Sequence, residues 1–149
     1  MTDAVYQGRC FCGAVCLEGR GTPSLSGYCH CQDCRDWSGT PVTSFVMWPH
    51  DAFSVVRGKG DLALFSRTPQ TPRGWCARCG GHLGAFREEQ VFPFVAVGPH
   101  MFPDLPFAPA MHVFCGEAVV AVDDDLPKYR DLPESMGGSG ELMPGSTAA

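Results

Sequence analysis

A mainly β fold is what this sequence predicts, and three observations predict it. Thirteen prolines and eighteen glycines are spread through 149 residues, which excludes long helices and favours short strands with frequent turns. The apolar residues fall in short runs bounded by turn residues. Two cysteine pairs sit at the turns between such runs.

Taken in chain order, the expected strands are 5–9, 14–18, 42–48, 53–56, 62–66, 82–86, 92–97, 112–115 and 119–122. The segment Gly8-Arg9-Cys10-Phe11-Cys12-Gly13 lies between the first two of these. Trp75-Cys76-Ala77-Arg78-Cys79-Gly80-Gly81 lies between two later ones. A single helical turn is expected at Gln32-Asp33-Cys34-Arg35-Asp36-Trp37-Ser38, stopped by Gly39 and Pro41. Residues 1–133 read as one domain. Residues 134–149, rich in Gly, Ser, Pro and Ala, read as a flexible tail.

A hydrophobic share of 44% against 18% charged residues is that of a globular chain. The N-terminus, Met1-Thr2-Asp3-Ala4-Val5, has neither the basic stretch nor the apolar core of a secretory leader, so a cytoplasmic location is expected. The apolar stretch around Val91 to Val97 contains Pro93 and is too short for a membrane span. A formal charge of -5, without clustered Lys and Arg, gives no footprint for a nucleic-acid backbone.

Nine cysteines in a reducing compartment are metal ligands more often than disulfides. Structural zinc takes four soft ligands, usually as two close pairs from separate turns. Cys10-x-Cys12 and Cys76-x-x-Cys79 supply two such pairs, each followed by a glycine, Gly13 and Gly80, able to take a positive φ. The competing reading is two disulfides or unrelated buried thiols.

Cys29-His30-Cys31-Gln32-Asp33-Cys34 offers three thiolates and no fourth cysteine nearby. Three protein ligands and an open position is the arrangement of catalytic zinc, and such an ion lowers the pKa of a bound water or thiol. The alternative is an inert Cys3His site closed by His30, His82 or His112. His30 is the weaker candidate, because neighbours in an extended segment point oppositely. Arg35, Arg73 and Arg78 are candidates to donate to the sulfurs from behind, against the plain reading of solvated surface cations. Arg35, directly after Cys34, is the one assigned to the second site. Cys16 and Cys115, inside β-like runs, read as small buried hydrophobes.

The order CxCG, CHCxxCRxxSG, CxxCG resembles the glutathione-dependent formaldehyde-activating enzyme family, whose domain is shared with centromere protein V. The residues carrying it are Gly8 to Val15, Tyr28 to Gly39 and Trp75 to Gly80. The resemblance implies a β-tent fold of small antiparallel sheets organised around zinc, with two ions expected per chain, or one if the open site is labile. Cys10, Cys12, Cys76 and Cys79 would hold the structural zinc. Cys29, Cys31 and Cys34 would hold the catalytic one.

The implied activity is carbon-sulfur lyase chemistry on a small-molecule adduct of an aldehyde such as formaldehyde with a thiol, glutathione being the co-substrate. Trp75 in place of phenylalanine, Cys115 and the proline-rich segment from Gly98 to Pro109 depart from the family pattern, and they leave the substrate open. A zinc-stabilised protein-binding module without catalysis is the alternative. It predicts a filled second site and an exposed apolar patch.

Overall fold

The computed structural model describes residues 4–148. Its strands are β1 (Val5–Arg9), β2 (Cys16–Arg20), β3 (Leu25–Cys29), β4 (Thr43–Pro49), β5 (Phe53–Arg57), β6 (Leu62–Phe65), β7 (Arg73–Cys76), β8 (His82–Ala85), β9 (Phe94–Val97) and β10 (His112–Val113). The one α-helix among the described residues, α1 (Gln32–Ser38), falls where the sequence placed it. The mainly β expectation therefore holds. No helix of the described residues is long and apolar enough to cross a membrane.

The chain forms two compact units, one built from residues up to Leu25 with Val46–Phe107, the other from Ser26–Phe45 with the residues from Ala108 onward. In the first unit β1, β2 and β5 make an antiparallel sheet, with Val5 opposite Arg20 and Arg9 opposite Cys16. A second antiparallel ladder runs from the Val46–Pro49 part of β4 through β9, β8 and β7 to β6.

The two ladders share a core of Val15, Leu17, Val46, Trp48, Leu83, Val95, Val97, Phe102 and Leu105, into which Cys10 and Cys76 are also packed. Trp48 is fully buried. Its ring lies against Tyr6, Phe53 and Phe102, and its indole N–H donates to the Gly21 carbonyl at 3.0 Å. That bond satisfies the polar atom such a residue must otherwise bury at a cost.

In the second unit β3 pairs in parallel with β10, Tyr28 opposite His112 and Cys29 opposite Val113. Gly39 ends α1 in the left-handed region (φ 70°), its N–H returning to the Arg35 carbonyl. The residues from Glu134 onward, expected as a tail, carry a 3-10 turn at Glu134–Met136. They also make backbone bonds from Met143 N–H to Lys128 O and from Arg130 N–H to Glu141 O, each 2.8 Å.

Three elements differ from expectation. β3 and β7 were not foreseen, because Gly27 and Gly74 interrupt them. Both glycines are required by close approach: a Cβ on Gly27 would run into the Met111 carbonyl, and one on Gly74 would lie 2.6 Å from the Phe86 ring. The apolar run 119–122 is no strand; Val119 and Val120 are exposed.

Candidate functional site

Two groups of cysteine sulfurs converge among the described residues, and each group lies within one unit. The first holds Cys10, Cys12, Cys76 and Cys79, all Sγ atoms within 4.8 Å of one another. Cys10 and Cys12 come from the turn between β1 and β2. Cys76 ends β7, and Cys79 follows in the turn to β8.

Both turns close as tight loops, with Gly13 N–H to Cys10 O at 3.0 Å and Gly80 N–H to Cys76 O at 2.8 Å. Gly13 (φ 81°) and Gly80 (φ 74°) have the positive φ expected of them. Backbone donors just beyond these glycines reach sulfur, among them Val15 N–H to Cys10 Sγ at 3.3 Å and Gly81 N–H to Cys79 Sγ at 3.4 Å.

A tetrahedral ion bonded to sulfur at about 2.3 Å holds its sulfurs about 3.8 Å apart. Here Cys10 and Cys12 Sγ are 3.7 Å apart, and Cys12 and Cys76 Sγ 3.8 Å. All nine cysteines are free thiols, which removes the disulfide alternative. The donor set thus fits a thiophilic divalent ion.

The electrostatics agree. Burial opposes ionisation of Cys10, yet the Val15 N–H and the thiols of Cys12, Cys76 and Cys79 overcome it and lower its pKa to about 6. For Cys12 the Ala14 N–H favours the thiolate, but burial and the neighbouring sulfurs win and raise its pKa to about 11. The Gly81 N–H pulls Cys79 down. Four adjacent thiols cannot all ionise by themselves, and a cation at their centre removes the conflict.

The second group is Cys29, Cys31 and Cys34, with their sulfurs within 4.8 Å of one another. No histidine nitrogen shares this cluster among the described residues. Cys29 ends β3. Cys31 is the N-cap of α1, and its Sγ accepts the Cys34 N–H at 3.3 Å, so the start of the helix fixes two of the three sulfurs.

The Cys29 thiol is pushed far up by hydrogen bonding to Cys31 and Cys34 and by burial. Cys31 is favoured by Cys29, but Cys34 and burial outweigh that and raise it. This crowding too is what a bound divalent ion relieves.

Arg35 does not reach the sulfurs through any bond described. Its Nε donates to His30 O at 3.2 Å and its Nη2 to Glu117 O at 3.0 Å, so it braces the turn that carries the cysteines. Arg78 is paired with Asp61 at 3.0 Å on the surface. Cys16 donates weakly to Gly13 O at 3.5 Å. Cys115 is buried, which raises its pKa.

Sequence reasoning missed Glu117, whose Oε1 accepts the Gln32 N–H at 3.3 Å at the helix start. It also missed a buried pair: His30 Nε2 lies 2.9 Å from His112 Nδ1, and His112 Nε2 lies 2.8 Å from Asp124 Oδ2. Burial, with the nearby charges of His112, Lys128 and Arg35, lowers the pKa of His30. His30 and His112 were weighed only as metal ligands. Asp124 stands in an acidic run that reads as solvated surface.

A solved crystal structure of a Rhodobacter sphaeroides protein, a structural-genomics target, is similar in fold. It has a TM-score of 0.55 at 22% identity, over 67% of this chain and 90% of that one. A Schizosaccharomyces pombe protein described as an uncharacterized lyase is 30% identical over 78 residues, which is 52% of this chain and 55% of that protein. The chain thus spans about half the length of that curated relative. The profile of the glutathione-dependent formaldehyde-activating enzymes matches residues 5–117, which include both cysteine clusters, and the chain belongs to that family.

Proposed function

We propose that the protein is a zinc-dependent carbon-sulfur lyase acting on the adduct of a small aldehyde, such as formaldehyde, with a glutathione-type thiol in a reducing, cytoplasmic setting. One observation carries this reading: four sulfurs converge in one cluster and three in the other. Four donors complete a tetrahedral ion, and three leave it one position for an external ligand.

Cys10, Cys12, Cys76 and Cys79 would hold a structural zinc that ties two turns of the first unit. Cys29, Cys31 and Cys34 would hold the second. When bound there, the metal would supply Lewis acidity that favours the thiolate form of a substrate thiol.

The chain's own residues present three convergent sulfurs. The N-cap bond to Cys31 orients one of them, and Arg35 holds the His30 carbonyl between Cys29 and Cys31. The net reaction breaks the carbon-sulfur bond of an S-hydroxyalkyl thiol. The hydroxyl proton ends on sulfur, and thiol and aldehyde are released.

The test is magnetisation-exchange NMR between S-hydroxymethylglutathione and free formaldehyde with zinc-replete protein. Exchange above the buffer rate that is lost in Cys31→Ser is the expected result. No acceleration with glutathione or other small thiols would overturn the reading.

A further inference from the structure

Each of the three cysteines in the second cluster is followed by a residue that one short segment of the same unit holds. His30, after Cys29, donates its N–H to Val113 O at 3.0 Å. Gln32, after Cys31, donates its N–H to Glu117 Oε1 at 3.3 Å. Arg35, after Cys34, donates from Nη2 to Glu117 O at 3.0 Å. All three acceptors belong to residues 113–117, and two of them belong to Glu117.

That segment is itself firmly placed. Val113 stands opposite Cys29 in the β3–β10 ladder. Behind it, Phe114 N–H donates to Asp131 O at 2.8 Å, Cys115 N–H to Tyr129 O at 2.9 Å and Gly116 N–H to Arg130 O at 3.0 Å. Phe114 takes left-handed backbone (φ 57°), the one non-glycine residue to do so among the described residues. A phenylalanine there is strained and persists only where its surroundings impose it. The turn it makes is closed by Glu117 N–H to Phe114 O at 3.1 Å, and Glu117 then meets Gln32 through its carboxylate and Arg35 through its carbonyl.

The Gln32 N–H is one of the first-turn groups that a helix leaves without an internal acceptor. Its bond to Glu117 joins positions 85 apart and is exposed, so it adds little to overall stability and acts locally, on the turn between Cys31 and Cys34.

We propose that Glu117 is a positioning residue for the second cluster, gripping the Cys31–Cys34 turn at Gln32 and at Arg35 so that the three sulfurs stand in place before a divalent ion arrives. Ligands already ordered do not have to be ordered at the moment of binding, which raises affinity. The inference rests on the reading of Cys29, Cys31 and Cys34 as a metal site, and not on the reaction proposed for it.

The test is cobalt titration of protein that keeps zinc at the four-sulfur cluster, followed through the thiolate-to-cobalt absorption that Cys31→Ser lacks. Losing an outer partner of a metal ligand costs about ten- to a hundredfold in affinity, and an exposed bond belongs at the lower end. Glu117→Ala should therefore bind cobalt about tenfold more weakly at the three sulfurs, with the four-sulfur zinc and the urea midpoint unchanged. Glu117→Gln keeps a side-chain oxygen for the Gln32 N–H and should bind as wild type does.

A second readout needs no ion at the three sulfurs. With that cluster empty, the Gln32 N–H should be protected from hydrogen exchange in wild type and Glu117→Gln, and should lose its protection in Glu117→Ala.

Equal cobalt affinity in wild type and Glu117→Ala overturns the proposal, as does an unprotected Gln32 N–H in wild type. Equal weakening in Glu117→Gln overturns it too, because charge and not the bond is then responsible, and so does weakening at both clusters together, which is general destabilisation. In all four cases a wild type that takes up cobalt at the three sulfurs leaves the function standing. If wild type takes up none there, the inference falls together with the function.

Discussion

Replacing Cys76 by serine tests the closed cluster most severely. Cys76 is fully buried in the core of the first unit, and its Sγ lies 3.8 Å from that of Cys12, 64 residues earlier in the chain. Treated as a cross-link, a closed loop of that length removes about 4 kcal/mol of unfolded-chain entropy. Domain stabilities run at about 5 to 15 kcal/mol, so this is a large share of the total.

With a urea m-value of about 1.5 kcal/mol/M, Cys76→Ser should lower the unfolding midpoint by about 2 to 3 M. The assay is urea unfolding followed by circular dichroism at fixed free zinc, with bound metal measured in parallel. Cys16→Ser, which removes only a weak bond to a carbonyl, is the control and should move stability by less than about 1 kcal/mol. A Cys76→Ser midpoint within about 0.5 M of wild type, with all metal retained, would refute the idea that the cluster ties distant turns.

Cys31→Ser should empty the second cluster while moving stability by less than about 1 kcal/mol, because serine keeps an N-cap acceptor for the Cys34 N–H; zinc analysis alongside urea unfolding checks both halves. Trp48→Ala, which leaves a cavity among Tyr6, Phe53 and Phe102, should cost about 3 to 5 kcal/mol in unfolding measurements. Asp124 has its carboxyl lowered to about 2, because hydrogen bonds from Lys128, His112 and the Leu126 N–H outweigh the opposing effect of burial. Its folded pKa is depressed, so the stability it adds is complete above about pH 5 and fades as pH falls from about 4 toward 2. The stability difference between wild type and Asp124→Asn should therefore be flat above pH 5 and shrink below it, as followed by paired urea titrations.

Each close set of cysteines was legible because it is local. Cys10 and Cys12, Cys76 and Cys79, and Cys29 to Cys34 are each set by a single turn, and the glycines after the first two pairs announce the conformation those turns need. The helix at Gln32–Ser38 was equally plain, with Gly39 marking its end.

What escaped reading is long-range. β3 is held by β10, more than eighty residues on, and the glycine that permits their close approach looks like a turn in the sequence. Nothing local ties His30 to His112 and Asp124, and nothing local shows that Arg35 Nε and Nη2 donate to the carbonyls of His30 and Glu117. Val119 and Val120 look like a strand in the sequence because propensity cannot tell an apolar run with a ladder partner from one without.

The central claim is that the chain holds two metal ions, one by four sulfurs and one by three. Elemental analysis of zinc-replete protein, before and after brief exposure to a chelator, tests it directly. The account predicts two zinc ions per chain, the chelator removing one and leaving Cys10, Cys12, Cys76 and Cys79 protected from thiol reagents. A single ion per chain under saturating zinc, with Cys29, Cys31 and Cys34 all reactive throughout, would contradict it.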